Sequence, residues 1–256
     1  MINIVVPMAG LGSRFSRAGY DQPKPLIPVL GRTMIELVVD NLRPATAHRF
    51  IFVCQRAHEA THGVGALLRR IAPGCEIVLI DGVTEGAACS VLLADAAIDD
   101  AQPLLIANCD QYVDAAIDAF LAQAAAPGID GTIMTMPGTD PKWSYVRRGP
   151  DGRVVEVREK AVISNEATVG IYHFRRGSDF VRGARAMIAR DERVNGEFYV
   201  APVYNELIGN GARVAAYDIG SAMFGIGTPQ DLEAFLAHAS AGRFTRHGAD
   251  VASDGA

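Results

Sequence analysis

The residues best suited to chemistry follow the first apolar run, where residues 7–15 are PMAGLGSRF and residues 23–26 are PKPL. A glycine-rich turn at the end of a strand lets backbone N–H groups approach phosphate oxygens closely. Arg14 adds a planar fork of donors for the same anion, and Lys24, held between two prolines, presents a point charge. The spacing therefore predicts a site for a phosphate-bearing ligand. The alternative is a solvated surface turn, which a lone Gly-x-Gly would favour.

Two common phosphate-binding patterns do not match this segment. The dinucleotide fingerprint requires a third glycine where this chain has Phe15, and an acid after the second strand, where it has Cys54 and Gln55. The Walker pattern requires Gly-Lys followed by Ser or Thr at the start of a helix, and residues 7–26 contain no such run. The predicted phosphate site is therefore of another kind.

His58 and His62 match the His-Glu-x-x-His pattern of zinc peptidases. On a helix predicted over 57–71 they fall on the polar face, opposite Val64 and Leu68. The sequence offers no convincing third ligand on a helix downstream. We therefore interpret the pattern as part of a surface helix, with a zinc site as the less favoured alternative.

Apolar runs alternate with amphipathic stretches in the first half of the chain, which is typical of a doubly wound, mostly parallel sheet covered on both faces. The predicted strands are 2–8, 49–55, 75–81 and 103–110, and the predicted helices are 34–42, 57–71 and 85–97. Sites in this α/β fold lie beyond the carboxyl ends of the strands, where the glycine-rich segment and Asp110 fall.

The second half is predicted to be a mixed sheet with flanking helices. The predicted strands are 130–137, 144–149, 153–159, 167–174 and 212–217, and the predicted helices are 178–190, 199–209 and 229–240. We expect a single domain over 1–242, divided into halves 1–110 and 111–242. The polar residues 243–256 are expected to form a flexible tail.

Composition restricts the class of protein. Of 256 residues, 49% are hydrophobic and 21% charged, which is typical of a folded globular chain rather than a disordered one. A net charge of −5 argues against a nucleic-acid partner, because phosphate neutralisation requires a basic surface. With no apolar run long enough to span a membrane and no signal-peptide pattern, we expect no membrane partner and a cytoplasmic location. The four cysteines lack the close spacing of a metal knuckle or redox pair.

Several segments, in order along roughly residues 1–240, resemble the nucleotidyltransferases that make nucleoside-diphosphate sugars from sugar 1-phosphates. AGLGSRF followed by PKPL resembles the signature of that family, and Asp110 stands where the family carries its magnesium-binding acid. Glu159-Lys160 resembles the pair that meets the acceptor sugar and its phosphate. VGIYHF at 169–174 resembles the strand that follows, and GIGTPQDLEAF at 225–235 resembles the start of a late helix.

The resemblance implies an α/β fold of the nucleotide-diphospho-sugar transferase type, with 1–110 as the nucleotide-binding half and 111–242 as the acceptor-binding half. It implies a Mg²⁺-dependent enzyme that couples a nucleoside triphosphate to a sugar 1-phosphate, or another small phosphate monoester, and releases pyrophosphate. The implied partners are therefore a triphosphate and a small phosphorylated acceptor. Sheet-rich enzymes of this size often form symmetric oligomers, so a homo-oligomer is also compatible with the sequence.

The resemblance also assigns roles to individual positions. The implied catalytic residues are Arg14, Lys24 and Asp110, with Asp110 holding the metal. The implied nucleotide-binding residues are Ala9, Gly10, Gly12, Ser13, Glu85 and Gly86. The implied acceptor-binding residues are Glu159, Lys160 and Gly170. Apart from the resemblance, Trp143 is a candidate for the floor of an acceptor pocket, although a half-buried packing role is favoured, and Tyr145, Glu197 and Tyr199 are further candidates near the acceptor half.

Two positions leave alternatives open. A carboxylate at Glu85 can accept from the amino group of cytosine but cannot donate to uracil, which favours CTP; alternatively Glu85 only places an acid in a first helical turn. The family usually has a second metal-binding aspartate where this chain has Gly225. Either one carboxylate suffices, since Mg²⁺ often binds one or two carboxylates plus phosphates, or Asp218 or another acid replaces it, or the chain is a weak catalyst.

Two other functions remain as alternatives. A glycosyltransferase that consumes a nucleotide sugar would share the fold, but the Asp-x-Asp metal motif is missing, because Asp110 follows Asn108-Cys109. A non-catalytic, nucleotide-binding regulatory homologue is favoured by Gly225 and opposed by the joint presence of Arg14, Lys24 and Asp110.

Overall fold

The computed structural model describes residues 1–242, and the predicted flexible tail over 243–256 lies outside the described residues. The strands are β1 (Ile2–Pro7), β2 (Pro28–Val29), β3 (Arg32–Thr33), β4 (His48–Gln55), β5 (Glu76–Ile80), β6 (Leu104–Ala107), β7 (Gln111–Val113), β8 (Gly131–Pro137), β9 (Ser144–Arg148), β10 (Val154–Glu159), β11 (Glu166–Phe174), β12 (Val214–Asp218) and β13 (Met223–Gly225). The helices are α1 (Ser13–Arg17), α2 (Met34–Leu42), α3 (Arg56–His62), α4 (Val64–Ile71), α5 (Ala87–Leu92), α6 (Asp95–Ile98), α7 (Ile117–Ala124), α8 (Gly177–Ala189), α9 (Val203–Gly209) and α10 (Pro229–Ser240).

The central sheet has nine strands in the order β5-β4-β1-β6-β11-β8-β12-β10-β9. Its first four strands are parallel, and β11 then pairs antiparallel with both β6 and β8. The predicted α/β class, with a parallel first half and a mixed second half, is confirmed. The assignment of the halves to nucleotide and acceptor stays a prediction.

Apolar side chains on the two faces of the sheet form two cores, because successive residues of a strand point to opposite faces. Ile4 and Val6 of β1 belong to the core that α2, α4, α7 and α10 cover. Val5, between them, belongs to the core that α5, α6, α8 and α9 cover. The sheet is thus buried on both faces, and its exposed end is the place left for a site.

The helix starts explain why the positions of α2 and α10 were predictable. Thr33 and Glu36 form a reciprocal capping box that satisfies free N–H groups at the start of α2. Thr228 accepts from the Asp231 N–H at the start of α10, where Pro229 occupies the first turn. These local signals fix the residue at which each helix begins.

Three predicted helices differ from the observed ones. The helix predicted over 57–71 is two helices, because Gly63 adopts φ 60° between α3 and α4. The helix predicted over 85–97 starts only at Ala87 and is divided into α5 and α6, and the helix predicted over 199–209 starts at Val203. The short elements α1, α7, β2, β3, β7 and β13 were not predicted.

The His-Glu-x-x-His pattern lies on α3, which contributes no residue to either core. The Glu59 carboxylate accepts from the backbone N–H of Gly65, at the start of α4, and so has a structural partner. Within residues 1–242, no cluster of three or more His, Cys, Asp or Glu side chains could hold a metal. The pattern is therefore the surface feature that the sequence favoured.

None of the helices described over residues 1–242 has both the length and the apolar character needed to cross a membrane.

Candidate active site

A cleft of about 640 Å³ opens beyond the carboxyl ends of β1 and β6. This is the end of the sheet at which α/β proteins of this kind bind ligands. The predicted site residues that line it are Ala9, Gly10, Gly12, Ser13, Arg14, Lys24, Gly86, Asp110, Trp143, Glu159, Lys160 and Gly170. The structure thus brings together residues that are up to 161 positions apart in the chain, from both predicted halves.

The glycine-rich loop is fixed from two sides. Gly12 has φ 60°, and a Cβ there would lie 3.1 Å from the Cβ of Lys24, so a glycine permits the close approach. Buried Gln55, at the end of β4, donates from Nε2 to the Ala9 carbonyl at 2.7 Å. Nothing lies within 4 Å of a Cβ placed on Gly10, which leaves open space at the cleft. The loop is therefore shaped before a ligand arrives.

Lys24 and Asp110 form an ion pair with 2.8 Å between Nζ and Oδ2. Burial opposes the charge of the Lys24 ammonium, but its ion pair with the Asp110 carboxylate raises its pKa, so Lys24 stays cationic. Burial raises the pKa of Cys109 to about 11, so its thiol is neutral at neutral pH and is not an activated nucleophile. The chemistry of this end of the cleft is therefore electrostatic.

Asp110 has the position and surroundings expected of a metal-binding carboxylate. A Cβ on Gly227 would lie 2.4 Å from Asp110 Oδ2, so the glycine makes room for the carboxylate. The Ile226 N–H donates to the Asp110 carbonyl at 2.9 Å, which fixes the backbone of the same residue. One carboxylate together with substrate phosphates fits the oxygen ligands that Mg²⁺ prefers.

The acids considered as replacements at position 225 do not line the cleft. Asp218 ends β12 and accepts from the Gly220 N–H at 2.8 Å. Asp231 lies beside Gly225, 3.5 Å from the position of a Cβ there, but its carboxylate accepts from Thr228 Oγ1 at 2.8 Å in the cap of α10. Neither Asp218 nor Asp231 therefore brings a second carboxylate into the cleft.

Glu85 is the predicted site residue that does not line the cleft. Its carboxylate pairs with Arg193 at 2.7 Å, while the adjacent Gly86, at φ 129°, does line the cleft. A Cβ on Gly86 would lie 2.3 Å from the Phe198 carbonyl oxygen, so a glycine is required for steric as well as conformational reasons. The sequence could not reveal an ion pair with a residue 108 positions away.

The other end of the cleft combines a buried acid with a lysine. Ser144 donates to the Glu159 carboxylate, and burial raises the pKa of Glu159 despite that hydrogen bond. Lys160, at φ 52°, donates from Nζ to the Tyr199 hydroxyl and lies 4.6 Å from the centre of its ring. The Lys160 N–H donates to the Trp143 carbonyl at 3.0 Å, which ties the two predicted acceptor residues together.

The remaining acceptor-site candidates differ in whether they line the cleft. Glu197 and Tyr199 line the cleft, whereas Tyr145 is fully buried and donates to the Asp140 carbonyl at 2.7 Å. Lining residues that sequence reasoning missed include Asn108, Ser144, Thr168 and Tyr172. Thr168, Val169, Gly170 and Tyr172 line the cleft around a register shift in β11, so simple alternation along the strand could not have identified them.

Comparisons with known proteins agree with this fold. Residues 4–176 match the MobA-like NTP transferase domain family. The bifunctional protein GlmU of Cupriavidus metallidurans is 26% identical over 223 residues, covering 84% of this chain and 46% of that protein. The chain thus spans about half the length of the curated relatives that it matches.

Solved structures show the same fold. A nucleoside-diphosphate-sugar pyrophosphorylase from Vibrio cholerae RC9 has a TM-score of 0.79 and 28% identity, over 91% of this chain and 99% of that one. The inositol-1-phosphate CTP transferase from T. maritima has a TM-score of 0.72 and 16% identity, over 96% of each chain, which shows the fold alone.

The fold and the family match place the protein in the class of sugar-phosphate nucleotidyltransferases, as the motifs predicted. The chain belongs to the MobA-like NTP transferase domain family.

Proposed function

We propose that this chain transfers a nucleotidyl group from a nucleoside triphosphate to a sugar 1-phosphate or another small phosphate monoester. The observation that carries the proposal is one continuous cleft with two cationic ends. Arg14 and Lys24 lie at the glycine-rich end, and Lys160 lies beside Glu159 at the other. Two separate phosphate groups can therefore be held in the same cleft, which a transfer between two phosphates requires.

The reaction needs little covalent help from the protein. A phosphate oxygen of the acceptor attacks the α-phosphorus, the bond from that phosphorus to the β-bridging oxygen breaks, and pyrophosphate leaves. Catalysis then consists of positioning and charge neutralisation. Lys24, kept charged by its surroundings, and Arg14, which is exposed in the first turn of α1, neutralise the triphosphate and the leaving pyrophosphate.

We propose Mg²⁺ as the cofactor and Asp110 as its protein ligand. When bound, the metal would supply charge stabilisation on the phosphate oxygens. Asp110 is prepared for this role by Lys24, which pairs with one carboxylate oxygen, and by Gly227, which leaves space beside it. Removal of Mg²⁺ by chelation is expected to stop turnover.

At the acceptor end, Lys160 binds the attacking phosphate and Glu159 accepts hydrogen bonds from donors on the rest of the acceptor. Trp143 lies on the rim of this end and is the single tryptophan of the chain. The buried Glu159 carboxylate is held by Ser144, which preserves one orientation for recognition. A small polar monoester fits this chemistry better than a bulky apolar one.

CTP is the nucleotide we propose first. Its support is the carboxylate of Glu85 beside Gly86, whose Oε1 could accept from the cytosine amino group while Oε2 pairs with Arg193. Nothing in the cleft favours the glycosyltransferase alternative, which would require a second acid near Asp110. The regulatory alternative retains Gly225 in its favour and predicts nucleotide binding without turnover.

The test crosses the four ribonucleoside triphosphates with a panel of phosphate monoesters in the presence of Mg²⁺ and follows pyrophosphate release. The panel contains sugar 1-phosphates, phosphocholine-like esters and phosphorylated amides. Release that requires one triphosphate and one acceptor together would support the transferase. Binding of a triphosphate with no release for any partner would favour the regulatory alternative.

A further inference from the structure

The segment between α8 and α9 forms a backbone connection with the turn at the nucleotide end of the cleft. The Phe198 N–H donates to the Glu85 carbonyl at 2.8 Å, and the Ala88 N–H donates to the Phe198 carbonyl at 3.0 Å. Gly86 permits this approach, because a side chain there would meet the Phe198 backbone. Residues 84–88 and Phe198 are therefore held as one unit.

The Arg193 side chain contacts both segments that this connection joins. Its guanidinium pairs with the Glu85 carboxylate at 2.7 Å, and its Cζ lies 4.2 Å from the centre of the Phe198 ring. The Phe198 ring is fully buried, so the cation covers an anchored ring rather than a mobile one. Arg193 thus contacts both sides of the connection at once.

The neighbours of Phe198 belong to the other end of the cleft. Glu197 and Tyr199 line the cleft, and the Tyr199 hydroxyl accepts from Lys160 Nζ. The two hydrogen bonds and the Arg193 contacts together link the turn at 84–88 to Phe198. Residues one peptide unit from Phe198 line the cleft at the end predicted for the acceptor, so a displacement of the turn can reach them through this link.

On the basis of the proposed function, we propose that Arg193 and Phe198 couple the two ends of the cleft, so that triphosphate binding at residues 84–88 positions Glu197 and Tyr199 for the acceptor. Arg193 acts as a positioning residue and touches neither substrate. Such coupling is reciprocal, so acceptor binding would strengthen nucleotide binding by the same factor.

Hydrogen exchange tests this coupling in the full chain without knowledge of the acceptor. The wild type and the Arg193→Ala, Arg193→Lys and Arg190→Ala variants are each incubated with ATP, CTP, GTP or UTP and Mg²⁺, and amide exchange is followed at 84–88 and 196–200. Arg190 is the matched control, because it lies close by in the chain and pairs with Glu192 and Glu206 instead of Glu85.

In the wild type, the triphosphate that binds should slow exchange at both segments. In Arg193→Ala, the slowing at 84–88 should remain while that at 196–200 falls about threefold or more, since an ion pair and a cation–π contact of this exposure are each modest. Arg193→Lys should recover part of the slowing, and Arg190→Ala should match the wild type.

Equal slowing at 196–200 in the wild type and Arg193→Ala would overturn the inference, as would a wild type in which only 84–88 responds. If no triphosphate slows exchange at 84–88 in the wild type, that result would instead contradict the proposed function. The coupling rests on that function and would be contradicted as well. Failure of the coupling and failure of the function are thus separate results.

Discussion

Gly227 has no side chain, and this leaves room for the Asp110 carboxylate. A Cβ there would lie 2.4 Å from Asp110 Oδ2, a separation that real contacts do not reach, and Asp110 would have to move away from Lys24. We predict that Gly227→Ala lowers kcat roughly 100-fold, because small displacements at a reacting centre have effects of that size. Steady-state pyrophosphate release measures it.

Gly225→Ala is the matched control for this substitution. A Cβ on Gly225 would make ordinary contact with Asp231 at 3.5 Å, so kcat is expected to stay within about threefold of wild type, since no strained contact is created. Similar losses in both variants would show that the space beside Asp110 has no special role.

Asn205, on α9, illustrates how one element positions another. Its side chain bonds both backbone groups of Val157 on β10, accepting from the N–H at 2.9 Å and donating to the carbonyl at 2.8 Å. The amide thereby replaces a missing strand partner just before Glu159 and Lys160. We predict that Asn205→Ala destabilises the fold by roughly 2–4 kcal/mol, because it leaves two buried groups unpaired. Urea unfolding measures the loss.

The same variant should raise the KM for the acceptor more than the KM for the triphosphate, because β10 leads to the acceptor end. Asn210→Ala is the control: it follows α9 and donates only to the Glu206 carbonyl on the surface. That variant should stay within about 0.5 kcal/mol of wild type. Equal destabilisation by both variants would contradict the positioning role of Asn205.

Elements with local signals were predictable, and those defined by distant partners were not. β1 and α2 were predicted from the patterns of apolar residues in their own segments, and the capping box that fixes the start of α2 joins residues only three positions apart. β7 and β13 escaped prediction because each has three residues and exists through its pairing with the other, over 100 positions away. The same distinction applies to the site. The glycine-rich loop could be recognised in the sequence, whereas the Gln55 hydrogen bond that fixes the loop could not.

The stability of the whole molecule depends on the central sheet. His173 is buried within that sheet, on β11. Burial, with a smaller effect of Arg175, lowers the pKa of His173 to about 4, and its Nδ1 has no hydrogen-bond partner among the described residues. The unfolded chain therefore binds a proton more readily than the native one between about pH 6.5 and 4. Stability should fall as pH falls through that window.

For this single group the expected loss is about 3 kcal/mol between pH 7 and pH 4. The measurement is the free energy of unfolding in urea at several pH values, for wild type and His173→Leu. Since carboxylates also titrate in acid, the comparison rests on the difference between the two proteins. A wild type whose pH dependence is no steeper than that of His173→Leu would rule out this role for the histidine.

The central claim is that Lys24 and Asp110 make this cleft a site of nucleotidyl transfer. The most direct measurement is the formation of the nucleoside-diphosphate ester with an equal amount of pyrophosphate, compared among wild type, Lys24→Met and Asp110→Asn. An Arg56→Met variant, which removes the exposed ion pair with Asp81, serves as the control. Each catalytic variant should lose about 100-fold or more in kcat with folding intact, because each removes a charge used in the transition state. Wild-type rates in both Lys24→Met and Asp110→Asn would contradict the account.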